Sequence, residues 1–167
     1  VAGTAQNKTV TGLTAGTTYF FALKTSDEVP NVSTISNVPT GSTLPPPDVT
    51  APAAVANLAL GTWAQTSVLV SWTAPGDDNA AGTAATYDLR FSTSAITAAN
   101  FASATQVSGE PAPAVAGTAQ NKTVTGLTAG TTYFFAMKTS DEVPNVSTMS
   151  NVPTGATLPP PDVTAPA

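Results

Sequence analysis

Apolar side chains in this chain alternate with polar or small ones over short runs. In residues 67–73, Val68, Val70 and Trp72 fall on one face and Leu69 and Ser71 on the other. In 86–92, Tyr87, Leu89 and Phe91 alternate with Asp88 and Arg90, and in 131–139 Tyr133, Phe135 and Met137 alternate with Phe134, Ala136 and Lys138. A period of two predicts half-buried strands, because successive Cβ atoms along an extended backbone point to opposite faces. Weaker versions of the pattern predict strands over 55–60, 122–127 and 148–152, and a short edge strand beginning at Gln106-Val107. Pro75-Gly76 closes the 67–73 strand and opens a loop to residue 85, while 110–117 is a second loop rich in Pro, Ala and Gly. The Ala-rich stretch 97–102 predicts a single helical turn. Asp88 and Arg90 share the outer face of their strand and form a weak pair. With many short strands and no strong helix, the chain reads as all-β.

The second pattern is a repeat. Residues 115–167 restate residues 1–53, and only three positions differ: Leu23 against Met137, Ile35 against Met149, and Ser42 against Ala156. The period, 115 − 1 = 114 residues, is close to one small domain, so the chain is an array of whole domains. A complete domain is expected over 54–155. The Pro-rich stretches 44–53 and 156–167 are spacers, and three consecutive prolines favour extended polyproline II. Residues 1–43 hold three expected strands, near 8–13, 17–25 and 34–38, matching the last three of 54–155. Alone, those strands leave one apolar face without a partner layer, with Tyr19, Phe21 and Leu23 in water. The missing strands are expected either upstream in a longer polypeptide or from another chain. The upstream source is favoured, since 54–155 holds a full strand set and has none to lend.

Leu127, the turn 128–130 and Thr131-Thr132-Tyr133 resemble the tyrosine corner of Greek-key sandwiches, in which the tyrosine hydroxyl bonds to backbone near the turn. Together with Val68-Leu69-Val70-Ser71-Trp72 and Tyr87-Asp88-Leu89-Arg90-Phe91, these residues resemble the fibronectin type III domain family, in the form of tandem bacterial extracellular repeats. The resemblance covers 54–155, and 1–43 as the last three strands of such a domain. It implies a fibronectin type III-like (immunoglobulin-like) Greek-key β-sandwich in tandem repeat. Two features depart from it. The segment between 92 and 122 is longer than usual and partly helical. The loop after 131–139 lacks Arg-Gly-Asp, so integrin binding is not implied. The Asp-Val-Thr-Ala-Pro spacer resembles those joining such domains in bacterial exported proteins, which places the chain outside the cell.

Composition narrows the chemistry. A net charge of −5 and a pI near 4.2 oppose nucleic-acid binding, which needs a basic patch. No apolar run approaches the roughly 20 residues of a membrane helix, so no membrane insertion is expected. The sequence has no His and no Cys, which removes the usual acid–base and thiol groups, and no Gly-rich phosphate loop appears. No enzyme activity is expected, and a catalytic carboxylate pair of the glycosidase kind is set aside. In the implied sandwich the loops bearing Asp77, Asp78, Asp141 and Glu142 share one end with the spacer residue Asp48. Carboxylates gathered there repel one another unless a cation joins them. These five acids are therefore the candidates for Ca²⁺, the one cofactor considered, with Asn79 and Asn145 as further oxygen donors. The plainer alternative is a set of solvated loop acids, and the spacing matches no known calcium loop. Asn7, Asn31, Asn121 and Asn145 begin glycosylation sequons. Phe20 and Phe134 point away from the expected core, toward a covering loop or a contact between domains or chains. Trp63, placed in a turn, is the candidate aromatic platform. The first functional expectation is a non-enzymatic structural module of a long extracellular array: a fibre, filament, stalk or adhesin shaft. Its partners would be neighbouring repeats and other copies in a filament. The alternative is an accessory carbohydrate- or protein-binding or spacer domain of an extracellular enzyme.

Overall fold

The computed structural model describes residues 3–163, which fall into two compact units that divide between Asp48 and Val49. The first contains β1 (Thr18–Phe20) and β2 (Thr40–Ser42). The second contains β3 (Ala59–Trp63), β4 (Ser67–Thr73), β5 (Thr86–Ser92), β6 (Thr105–Gln106), β7 (Ala119–Thr125), β8 (Thr132–Ser140) and β9 (Thr154–Ala156).

The second unit is a two-sheet sandwich. One antiparallel sheet has the order β3-β4-β7 and the other β6-β5-β8-β9. The alternation in β4, β5 and β8 does what its period requires. Val68, Val70 and Trp72 face inward from one sheet and meet Leu89, Phe135 and Met137 from the other, all 3% exposed or less. Enclosing one such side chain stabilises by roughly 1.5–3 kcal/mol, so this face dominates the fold's energetics. Trp72 stacks edge-on against Tyr87 at 5.2 Å, and Phe91 packs against Tyr133 at 5.7 Å. The tyrosine corner is present: the Tyr133 hydroxyl accepts a hydrogen bond from the Thr128 N–H at 3.0 Å.

The strands β4 and β5 have the expected bounds, but the first and last strands do not. Val55 and Leu58 are buried, yet regular pairing starts only at Ala59 rather than at 55. Side chains replace the ladder before it. Asn57 bonds the Thr73 N–H and hydroxyl, and the Asn151 amide accepts from the Leu58 N–H and donates to its C=O. The expected strand over 148–152 is also irregular. There the hydroxyls of Ser147 and Ser150 accept from the N–H groups of Thr139 and Met137, taking places that carbonyls hold in a ladder. Pro153 has no N–H to give, and regular pairing with β8 resumes at Thr154.

A second apolar cluster covers the outer face of the β5–β8 sheet. The Ala-rich stretch closes one turn later than expected, as a 3-10 turn over Phe101–Ser103. Asn100 organises it by accepting from the Thr97 N–H and donating to the Ala95 C=O. Phe101 and Ile96 thereby settle on Ala136, with Phe134, Met149 and Val152 packed around them. Phe134 is thus covered by its own domain. Arg90 and Lys138 lie over the Phe101 ring at 5.2 and 5.0 Å, and Arg90 also pairs with Asp88 at 2.8 Å.

The first unit keeps only part of this arrangement. β1 pairs with β2 in the register of β8 with β9, displaced by the 114-residue period: Tyr19 opposes Gly41 as Tyr133 opposes Gly155. Its tyrosine corner is also closed, by Thr14 N–H to Tyr19 hydroxyl at 2.9 Å. The expected strands near 8–13 and 34–38 are absent, because an extended segment without a laddered neighbour has no partner for its backbone groups. Phe20 and Leu23 are 71% and 66% exposed.

Candidate functional site

The loops expected to gather acidic residues do lie at one end of the sandwich, joined by the Ala85 N–H donating to the Ser140 C=O. Their acids are otherwise engaged. Asp141 is buried and turns inward: one carboxylate oxygen accepts from the N–H groups of Val143 and Asn145, and the other from the Asn145 side-chain amide at 2.7 Å. Asp141 therefore folds the tip of its own loop. Asp27 does the same in the first unit, and these bonds from Asn31 hold its carboxyl below the ordinary range. Glu142 and Asp78 are exposed, and Asp77 is half-buried. Asp77 and Asp78 lie in a tight loop closed by Gly76 N–H to Asn79 C=O and Asp77 N–H to Ala81 C=O. Asp48 ends the first unit. Among the described residues no three acidic side chains converge to hold a metal. Of the candidate acids in the second unit, Asp141 gives its oxygens to its own loop's N–H groups, while Asp77, Asp78 and Glu142 lie on the two neighbouring loops.

The same engagement bears on the sequons. The side-chain amides of Asn31 and Asn145 donate to Asp27 and Asp141, whereas Asn7 and Asn121 are exposed.

Trp63 is not a free platform. It lies at the end of β3 rather than in a turn, half-buried, with its ring edge-on to Phe135 at 6.4 Å. The indole covers Gly155 so closely that a Cβ there would come within 2.5 Å of the ring. Only glycine admits that approach. A single Trp between Thr62 and Ala64 carries no sequence signal of the distant glycine it covers. Among the described residues of 54–163, the exposed large apolar side chains are Val115, Val143, Val146, Leu158 and Val163, none of them aromatic.

What the sequence left unread is how the spacer attaches. Leu158 N–H donates to Ala64 C=O, Gly130 N–H to Leu158 C=O, and the Gln65 amide to Pro159 C=O. At the other end of the domain, Ala53 N–H donates to Asn79 C=O and Asn79 N–H to Ala51 C=O, with Pro52 buried beside them. The domain thus holds Ala51, Ala53, Leu158 and Pro159 of the Pro-rich segments by hydrogen bonds.

These features define a class: a Greek-key β-sandwich whose two ends hold connecting segments. Its three-plus-four strand order, buried Trp72 on β4 and tyrosine corner give it, more particularly, the fold of a fibronectin type III domain.

No family model matches the chain. Chitinase A1 of Niallia circulans is 39% identical over 150 residues, which are 89% of this chain and 18% of that protein. Exoglucanase B of Cellulomonas fimi is 34% identical over 149 residues, 88% of this chain and 12% of its own length. Endoglucanase B of Cellulomonas fimi is 30% identical over 158 residues, 93% and 14% respectively. The chain spans less than a fifth of each relative. Among solved structures, the FN1–FN3 domains of chicken CNTN1 are 14% identical with a TM-score of 0.47, covering 88% of this chain and 45% of that one. The sixth fibronectin type III domain of human fibronectin type III domain containing protein 3 is 17% identical with a TM-score of 0.44, covering 72% and 98%.

Proposed function

We infer that this chain is a spacer module of an extracellular bacterial enzyme that degrades an insoluble polysaccharide. One observation carries this reading: nearly the whole chain is matched in a chitinase and in two glucanases. Those names imply different polysaccharides, so the shared stretch does not carry the choice between them. The geometry agrees with holding parts at a distance. The domain binds its own connecting segments at both ends, and Trp63, the candidate sugar platform, is spent on Gly155. The sequence near-identity of the two copies supports an array in which repetition sets the length of the spacer. Such an array would act as a stalk of neighbouring repeats without requiring a filament of many chains.

Co-sedimentation of the 167-residue chain with insoluble chitin and with crystalline cellulose tests this. A spacer remains in the supernatant with both and releases no sugar from either. Pelleting with one of them, at a level above an inert protein of similar charge, would replace the spacer by a gripping domain.

A further inference from the structure

The fold sorts the four sequons into two kinds. In Asn145-Val146-Ser147 both reacting side chains are already engaged. The Asn145 amide donates to an Asp141 carboxylate oxygen at 2.7 Å. The Ser147 hydroxyl, 4% exposed, accepts from the Thr139 N–H and donates to the Thr148 C=O, each at 2.9 Å. Asn31-Val32-Ser33 repeats these bonds. Asn31 donates to Asp27, and the Ser33 hydroxyl accepts from the Thr25 N–H and donates to the Thr34 C=O. Asn121-Lys122-Thr123 is open by contrast. It lies within β7, the strand that ends the β3-β4-β7 sheet. Gln120, Lys122 and Val124 turn inward there, so Asn121 and Thr123 share the opposite face, and both are exposed. The Thr123 hydroxyl therefore stands on the same side as the Asn121 amide, two residues on. Across the ladder these two residues oppose Ser71 and Leu69, and this face of β4 and β7 carries no charged side chain. In the first unit Asn7-Lys8-Thr9 is exposed and lies outside any strand.

We propose that Asn121 and Asn7 are acceptor sites for N-linked glycosylation, and that Asn31 and Asn145 are closed to it in the folded chain. The co-substrate class is a glycosyl diphosphate, and the catalyst is a sequon-directed transferase separate from this chain. The step forms a bond from Asn121 Nδ2 to the anomeric carbon of the sugar. The anomeric C–O bond breaks, the diphosphate leaves with its electron pair, and one amide proton passes to the transferase's base. The surroundings of Asn121 leave room for the product, since its neighbours on the face are Ser, Thr, Ala and Leu. A sugar at that position also covers the edge of β7, where another strand could otherwise pair. In the Asn-Val-Ser sequons the amide must first leave the carboxylate that closes its own loop, and the serine must leave two main-chain groups. Hydrogen bonds to a charged partner resist such release more than neutral ones do.

Treating the folded 167-residue chain with a sequon-directed transferase and its donor, then weighing the tryptic peptides, tests the proposal. Cleavage after Lys8, Lys24, Arg90, Lys122 and Lys138 puts each of the four asparagines in its own peptide. One arm supplies a nucleotide-linked hexose to a soluble transferase. The other supplies a lipid-linked oligosaccharide to a membrane-bound one, so the arms separate the two donor sources. In either arm sugar should appear on Asn7 and Asn121, while Asn31 and Asn145 lag by at least about tenfold. Thr123→Ala should abolish the reaction at Asn121 and leave Asn7 unchanged. Asp141→Ala, which frees the Asn145 amide, should speed Asn145 and leave Asn121 unchanged. Equal modification of all four asparagines in the folded chain overturns the proposal. So does an unmodified Asn121 in both arms while a free peptide of the Asn-Lys-Thr sequence is modified alongside.

Discussion

The internal repeat supplies a matched pair of mutations, Phe135→Ala and Phe21→Ala. Phe135 is 0% exposed and packs against Trp63 and Phe91 at 6.4 and 6.0 Å, so truncation removes a full aromatic ring from a closed core. That should cost about 3–5 kcal/mol. Phe21 occupies the same place in the repeat, is 37% exposed and, among the described residues, stands near one ring, Tyr19, at 6.4 Å. Its truncation should cost under about 1 kcal/mol. Urea unfolding followed by tryptophan fluorescence separates the two, because both tryptophans, Trp63 and Trp72, belong to the second unit. With a slope near 2 kcal/mol/M, Phe135→Ala should lower the fluorescence midpoint by roughly 1.5–2.5 M. Phe21→Ala should leave it in place. A loss below about 1 kcal/mol for Phe135→Ala, or equal shifts for both variants, would refute the assignment of one closed core and one open face.

Three further outcomes follow from the same geometry. Asn151→Ala removes both bonds to Leu58 and should cost about 1–3 kcal/mol in the same urea assay, whereas Asn151→Asp keeps only the acceptor and should fall between. Tyr133→Phe leaves the Thr128 N–H without its acceptor and should cost roughly 1 kcal/mol, measured as a lowered melting temperature. Burial raises the Tyr87 hydroxyl above its ordinary value, against the smaller opposing effects of Trp72 and the Ala114 backbone. The folded state then holds that proton longer than the unfolded state does. The stability is present below the unfolded value near 10 and is lost as pH rises through the folded one. Urea midpoints taken on either side of that value should fall more steeply for wild type than for Tyr87→Phe.

The strands whose alternation is strict were legible down to their ends, as in β4 and β5, because burial of one face fixes both period and register. Strands built on side-chain substitutes were not. Nothing local announces that Asn151 will serve Leu58, 93 positions away, or that Ser147 and Ser150 will stand in for ladder carbonyls. The engagement of Asp141 was hidden for a related reason. Charge and loop position drew notice to its carboxylate, but an Asp four residues before an Asn also reads as a self-closing loop, and the structure shows that local bond. Trp63 was misplaced because its partner, Gly155, is distant in sequence and has no side chain to signal the contact. The exposure of Phe21 and Leu23, by contrast, was legible, since their repeat twins Phe135 and Met137 showed which side chains a second layer covers.

The central claim is that surroundings, rather than local sequence, decide what these repeated residues do. Amide exchange of the unmodified chain tests it directly, by comparing 18–25 with 132–139. The two stretches differ only at Leu23 and Met137. Exchange over 132–139 should require opening of the whole sandwich, and exchange over 18–25 only local fraying, so the rates should differ by at least about a thousandfold. Equal rates would contradict the account.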